Sequence, residues 1–342
     1  MAMSDEYVDE LREWFRKTKR DFPWRREKNA YKVLVSEIML QQTKAVCVEP
    51  YFNAWIKRFP DFESLSKASE EEVIKLWEGL GYYSRARNLL QAAKDVTQKY
   101  NGEFPKDLES ILSFKGIGSY TAAAISHLAF SERVIGADGN IKKVLARFYG
   151  HSETIEKEGP FHLLLDTFLP EKNSFDIFEG LIELGATVCA KKPDCERCPL
   201  SGGCKAYLEG LTEVLPVRKQ REKTIHIERV VLILETSTHI LIKKGEEGVM
   251  KGLYEFPYWD RKRETIAEIV ASVEKKYGLS VEDVKALAVV VHHFTKYKST
   301  LFPYWCKVKT FTPFPKDYYL VEKSLLKQYP FSSGHRKIVI SL

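Results

Sequence analysis

The chain of 342 residues carries 53 Lys and Arg against 47 Asp and Glu, a formal net charge of +6, with 44% hydrophobic and 29% charged residues. This is a globular composition, which excludes a disordered or fibrous chain, and the length predicts two or three domains with cores of their own. No run approaches the roughly 18 apolar residues of a membrane-spanning helix. The first residues also lack the basic-then-apolar pattern of a secretory leader, so a cytoplasmic protein with no membrane partner is expected. Charge is uneven: residues 1–215 hold 30 basic and 33 acidic side chains, residues 216–342 hold 23 and 14. The basic C-terminal third is compatible with a polyanionic partner.

In chain order, the first two-thirds read as all-α. Apolar residues recur at helical spacing over 5–19, where Val8, Leu11, Trp14 and Phe15 share a face. The same spacing returns over 31–46, 51–58, 70–76, 84–99, 108–112, 120–129, 141–149, 161–168 and 176–185. Pro23, Pro60, Gly79 with Gly81, Gly102 with Pro105, Gly159-Pro160 and Pro170 punctuate these stretches. Ser69 before three glutamates reads as an N-cap followed by an acidic first turn. Beyond Pro216 the texture changes. Strands are predicted over 224–235, 239–243, 285–291 and 299–310, with a helix over 265–277. A polar, basic connector places the boundary at 216–224.

Four of the six cysteines fall together as Cys189-x5-Cys195-x2-Cys198-x5-Cys204. Thiols this dense in a chain expected to be cytoplasmic point to a metal site, because disulfides are disfavoured there. Zinc and an iron–sulfur cluster both accept four thiolates, and spacing alone does not separate them. Cys47 and Cys306 lie in apolar stretches and read as packing residues. Lys115-Gly116-Ile117-Gly118-Ser119-Tyr120-Thr121 joins two helical stretches through two glycines. That is either a plain corner or a turn whose backbone N–H groups approach a phosphate. Asp138, in Ala137-Asp138-Gly139-Asn140, is either a helix N-cap or a carboxylate facing a ligand. Glu37 stands alone among apolar neighbours. It faces solvent or sits in a dry cleft, where desolvation would make it a usable general acid.

Taken together, these motifs resemble the helix-hairpin-helix DNA glycosylases, and within them the MutY-type adenine DNA glycosylases. Further matching segments are Pro23-Trp24-Arg25, Val35-Ser36-Glu37 through Gln41-Gln42-Thr43, Trp77 through Arg85, and Leu181 through Ala186. The resemblance implies an α-helical N-terminal two-thirds with an iron–sulfur loop, and an α/β Nudix-like C-terminal domain. Its division would be 1–215 for the catalytic region, with a six-helix module at about 22–130 and a cluster module from 1–21 and 131–215. Residues 216–224 would be a linker and 225–342 the lesion-recognition domain. The implied substrate is double-stranded DNA holding adenine opposite 8-oxoguanine or guanine, acted on by a monomer of bacterial, nucleoid-associated type.

The resemblance also assigns roles. Glu37 protonates adenine, Asp138 stabilises the positive charge on the sugar, and Tyr120 and Asn140 support them. Trp24, Arg25 and Glu183 belong to the extruded-base pocket. Gln42, Thr43, Leu80 and Tyr82 meet the duplex, as do Lys115, Gly116, Gly118 and Ser119 of the hairpin. Cys189, Cys195, Cys198 and Cys204 hold a 4Fe–4S cluster, with zinc as the alternative. Tyr120 stands where endonuclease III-like relatives carry a Schiff-base lysine, so strand cleavage is not expected. Phe294, Thr295 and Lys296 occupy the lesion-reading loop, Lys296 replacing the family's histidine. The first cysteine interval is five residues rather than six. Around Gly252 to Pro257 the chain matches the Nudix-like domain, yet Arg263, Glu264 and Glu268 are too sparse for a Mg²⁺-binding box, so pyrophosphate hydrolysis is not expected.

Overall fold

The computed structural model describes residues 5–219, 223–312, 314 and 317–342; positions 220–222 of the predicted linker lie outside the described residues. Helices come first: α1 (Asp5–Thr18), α2 (Pro23–Arg26), α3 (Ala30–Leu40), α4 (Ala45–Arg58), α5 (Phe62–Ser66), α6 (Glu70–Leu76) and α7 (Ser84–Lys99). They continue with α8 (Leu108–Ser113), α9 (Ser119–Phe130), α10 (Gly139–Phe148), α11 (Gly159–Phe168), α12 (Phe175–Thr187) and α13 (Lys205–Leu208). None of the described helices is long and apolar enough to cross a membrane. By contact the chain forms two compact units, residues 1–67 with 88–220, and residues 68–87 with 221–342.

In the first unit, α12 is buried along Ile177, Phe178, Leu181 and Leu184 and packs on α1 and α10. Helix α3 is buried nearly all round, from Val33 to Met39, and packs on the alanine-rich α9. One predicted helix is wrong in extent. The stretch 31–46 breaks after Leu40, and α4 starts only at Ala45. Gln41 and Gln42 have adequate helix propensity, but tertiary contacts override it. The Gln41 amide donates to the Thr121 hydroxyl at 3.3 Å and to the Gly116 carbonyl at 3.4 Å, and Gln42 turns left-handed at φ 58°.

The second unit is built on a sheet of eight described strands: β1 (Ile225–Glu235), β2 (His239–Lys244), β3 (Tyr254–Glu255), β4 (Tyr258–Asp260), β5 (Val281–Ala286), β6 (Val290–Phe294), β7 (Tyr297–Val308) and β8 (Tyr319–Glu322). The spine is a parallel ladder of β1 and β7 in which Ile225 pairs Tyr297 and Glu235 pairs Lys307. Both faces of β1 are covered, which explains its unbroken Val-Val-Leu-Ile-Leu run. Val231 and Ile233 face a core shared with Phe256 and Phe331. Val230, Leu232 and Leu234 face Ile269 and Val273 of α14 (Ile266–Tyr277). The first of these cores includes Ile338 and Val339 of α15 (Ser333–Ser341).

The predicted strand 285–291 is two strands. Ala286 pairs Tyr304 and Val290 pairs Leu301, with 287–289 outside either strand, where the Leu287 N–H still donates to the Pro303 carbonyl at 2.9 Å but receives nothing in return. A proline offers no N–H to the ladder, so pairing lapses there and resumes beyond it. Because Leu232 is fully buried at the centre of this unit, Leu232→Ala is expected to cost about 2–5 kcal/mol in urea unfolding.

Candidate active site

The first unit contains a cavity of about 700 Å³ whose lining includes Trp24, Arg25, Glu37, Tyr120, Asp138, Asn140, Glu179 and Glu183. Each element delivers its group for a local reason. Pro23 starts α2, a single turn in which Trp24 stacks on Phe22 at 4.7 Å between ring centres. Helix α3 carries Glu37 into the cavity, where it is 6% exposed. Asp138 caps α10, one oxygen accepting from the Asn140 and Ile141 N–H groups at 2.9 and 2.8 Å, the other from the Asn140 side chain at 2.9 Å. The cap that the sequence left open is therefore present, and the same residue lines the cavity. Close approach behind it depends on Gly185. A Cβ there would lie 2.6 Å from the Asn140 carbonyl and 2.7 Å from its Cβ.

The electrostatics follow from burial. Desolvation pushes Glu37 up to about 7; the Tyr120 hydroxyl donates to it and opposes that rise, while Asp138 and Glu179 add to it. Asp138 is also raised by burial, against the pull of its three hydrogen bonds. Tyr120 is raised well above its ordinary value by burial and by the facing carboxylates, so it stays a donor. At the cavity floor, burial of Glu183 is outweighed by Arg20 and Arg25, which hold it below the usual carboxylate range. Arg20 Nε reaches Glu183 at 2.6 Å and Arg25 reaches it at 2.8 Å. Lys28 pairs with Glu179 at 2.6 Å.

Two more predicted residues line the same cavity and the rest fall elsewhere. Gln42 and Thr43 sit at the cavity wall with Lys44 and Val46. Lys115, Gly116 (φ 90°), Gly118 and Ser119 form the turn between α8 and α9. Gly118 caps α9 without a side-chain bond, and Ser119 donates to Glu158 at 3.2 Å. Leu80 and Tyr82 belong to the second unit, where Leu80 is 7% exposed and Tyr82 is 43% exposed at φ 48°. Sequence reasoning missed Arg20, Lys28 and Glu179. Glu179 lies one helical turn before Glu183, a spacing that puts both on one face of α12.

The four clustered cysteines all line one small cavity with Arg147, itself buried. Burial pushes Cys198 up to about 12 and raises Cys195 and Cys204, with mutual repulsion adding to each, so the thiols keep their protons unless a metal replaces them. Arg147 donates to the Cys189 sulfur at 3.3 Å, to the Ala190 carbonyl at 2.8 Å and to the Leu215 carbonyl at 2.9 Å. A buried cation beside converging thiols fits an anionic thiolate–metal group. Among the described residues no group of three or more His, Cys, Asp or Glu is drawn together as a single-ion site.

Residues 35–166 match the HhH-GPD superfamily base excision DNA repair protein model, and residues 229–341 match the NUDIX domain model. An adenine DNA glycosylase of Buchnera aphidicola subsp. Baizongia pistaciae is 33% identical over 87% of this chain and 85% of its own length. The chain belongs to the adenine DNA glycosylase family. Another member, from Homo sapiens, is 29% identical over 89% of this chain and 67% of its own length. A solved thermostable thymine-DNA glycosylase superposes with a TM-score of 0.55 at 29% identity, covering 59% of this chain and 95% of that one. An endonuclease III–DNA complex shares the fold at a TM-score of 0.53 and 20% identity, covering 62% and 99%. As a family member the protein is a base excision repair DNA glycosylase, and its substrate is DNA. Both expected fold classes, the helix-hairpin-helix region and the Nudix-like domain, are present.

Since Gly185 has no room for a methyl against backbone, Gly185→Ala is expected to destabilise the first unit by about 1–3 kcal/mol, read as a lowered melting temperature.

Proposed function

We propose that this glycosylase hydrolyses the N-glycosidic bond of adenine mispaired with 8-oxoguanine or guanine, with Glu37 as general acid and Asp138 as the carboxylate that stabilises the sugar cation. The observation carrying this reading is that both carboxyl groups face one cavity, with Glu37 held near pKa 7 by burial. An acid tuned there is protonated often enough at neutral pH to donate, and still gives up its proton readily. Glu37 donates to a ring nitrogen of the adenine imidazole. The bond between sugar and base then breaks with its electron pair leaving on the base. Asp138 faces the resulting oxocarbenium ion, and water completes the hydrolysis. Asp138 is already fixed by three hydrogen bonds, so it need not reorganise as that charge develops. Trp24 and Arg25 border the space an extruded base would fill, and Asn140 and Tyr120 hold the two carboxyl groups in place. The hairpin, Gln42, Thr43, Leu80 and Tyr82 are the proposed duplex contacts, and Phe294, Thr295 and Lys296 the reader of the opposite base.

Cys189, Cys195, Cys198 and Cys204 would hold a 4Fe–4S cluster, which ties an otherwise irregular loop to the body of the first unit. Arg147 balances the thiolate charge and fastens the loop to the chain at Leu215.

Single-turnover release from duplexes with adenine opposite 8-oxoguanine or guanine, and thymine opposite guanine, tests the base specificity. Fast adenine release supports the reading, whereas release of thymine alone overturns it. Because the acid must carry its proton, the adenine release rate is expected to fall as pH rises through about 7, roughly tenfold per unit above it. Glu37→Gln should slow release by roughly 10²–10⁴-fold and leave DNA binding intact. As purified, the protein should be brown with about four irons per chain, and Cys198→Ala should lose them. Colourless protein with stoichiometric zinc would remove the cluster and leave the glycosylase reading standing.

A further inference from the structure

Beneath the β6–β7 hairpin lies a buried polar seam that the proposed chemistry does not use. His292, Ser299 and His335 are buried, and Arg229 is largely so. Among the described residues, His292 Nδ1, Ser299 Oγ, His335 Nε2 and Arg229 Nε have no hydrogen-bond partner. His292 and Ser299 are cross-strand partners, so their side chains share one face of the hairpin. Phe256 N–H donates to His335 Nδ1 at 2.9 Å, which leaves the proton on Nε2, 3.7 Å from a Glu255 oxygen. Burial, with the positive charges of Lys337 and Arg229 nearby, pushes His292 down to about 4, so its ring is neutral. Apolar residues would fill this volume at lower cost.

The ring of His292 is the first member of a stack that runs to the hairpin tip. It stacks on Phe294 at 5.3 Å and 21°, and Phe294 stacks on Tyr297 at 5.3 Å and 29°. Phe294 and Tyr297 are the closing pair, so the turn is Thr295-Lys296 alone. Thr295 sits at φ 46°, a region that a β-branched residue occupies only when its surroundings force it. Lys296 is tied through its carbonyl, which accepts from the Ile225 N–H at 2.9 Å. The lower end of the stack is seated on Gly334, where a Cβ would meet His292 Nε2 at 2.5 Å and Leu301 Cδ1 at 2.8 Å.

From this arrangement we infer that His292, seated on Gly334, is a positioning residue that holds the strained Thr295 turn and the Phe294 ring in the pose that reads the base opposite adenine. The inference rests on the reading of Phe294, Thr295 and Lys296 as the lesion contact. It places the control of discrimination below the tip, in a buried residue.

The test is single-turnover adenine release opposite 8-oxoguanine and opposite guanine for the wild type, Phe294→Ala, His292→Ala and Gly334→Ala. Gly334 has no positive φ and lies in the first turn of α15, so alanine there presses on the imidazole and the end of Leu301 without straining the helix backbone. The expected result is that all three variants fold and lose several-fold of the preference for 8-oxoguanine, while His292→Ala and Gly334→Ala keep release opposite guanine near wild type. If Phe294→Ala loses the preference and both folded seam variants keep it, the positioning role is overturned and the lesion reading survives. If Phe294→Ala keeps the preference, the lesion reading falls and this inference with it. Should Gly334→Ala fail to fold, His292→Asn, which removes the ring and keeps a polar stub, replaces it in the same comparison.

Discussion

Everything in the first unit is arranged around a carboxyl group kept out of water. A buried, uncompensated carboxylate is among the costliest groups a protein can hold, and Glu37 has no cation of its own. The structure lowers that cost by letting the group keep its proton. A tyrosine hydroxyl faces it, two further carboxylates raise its pKa, and the nearest guanidinium, on Arg25, is engaged with Glu183 and Glu179. The cations at the cavity floor are thus bound to partners that are not Glu37. Were Arg25 free to pair with Glu37, the acid would be held deprotonated and lose the property the cavity gives it.

The helices of the first unit were legible because most of them display a periodic apolar face, as in α1 and α10. Less of the cavity could be read. Its wall depends on the break between α3 and α4, and Gln41 and Gln42 look like ordinary helix formers until the Thr121 and Gly116 contacts are known. Arg20 and Lys28 come from separate segments, and nothing local distinguishes them from solvated charges, whereas Glu179 left one mark, its one-turn spacing to Glu183. The cysteines were the opposite case. Their spacing alone predicts convergence, and they do line one cavity, while the role of Arg147 as their neighbour depends on folding and left no mark in the sequence.

In the second unit the same contrast recurs. The β-branched run of β1 announces a strand, and the two cores on either side of it account for the run being unbroken. The lapse at 287–289 has its cause in Pro303 on another strand, so no reading confined to 285–291 could find it. The short β3, β4 and β8, and helix α15, lack a period long enough to register.

Asp138 caps α10 and lines the cavity, and in the proposed reaction the same side chain presents charge to the sugar. Asparagine would exchange one oxygen for nitrogen and could still accept the two backbone hydrogen bonds that start the helix. Charge and architecture at this position therefore differ by a single atom. A silent form of the molecule, folded and still shaped for DNA, is one amino-acid exchange from the working one, and a screen that scores only folding would pass it.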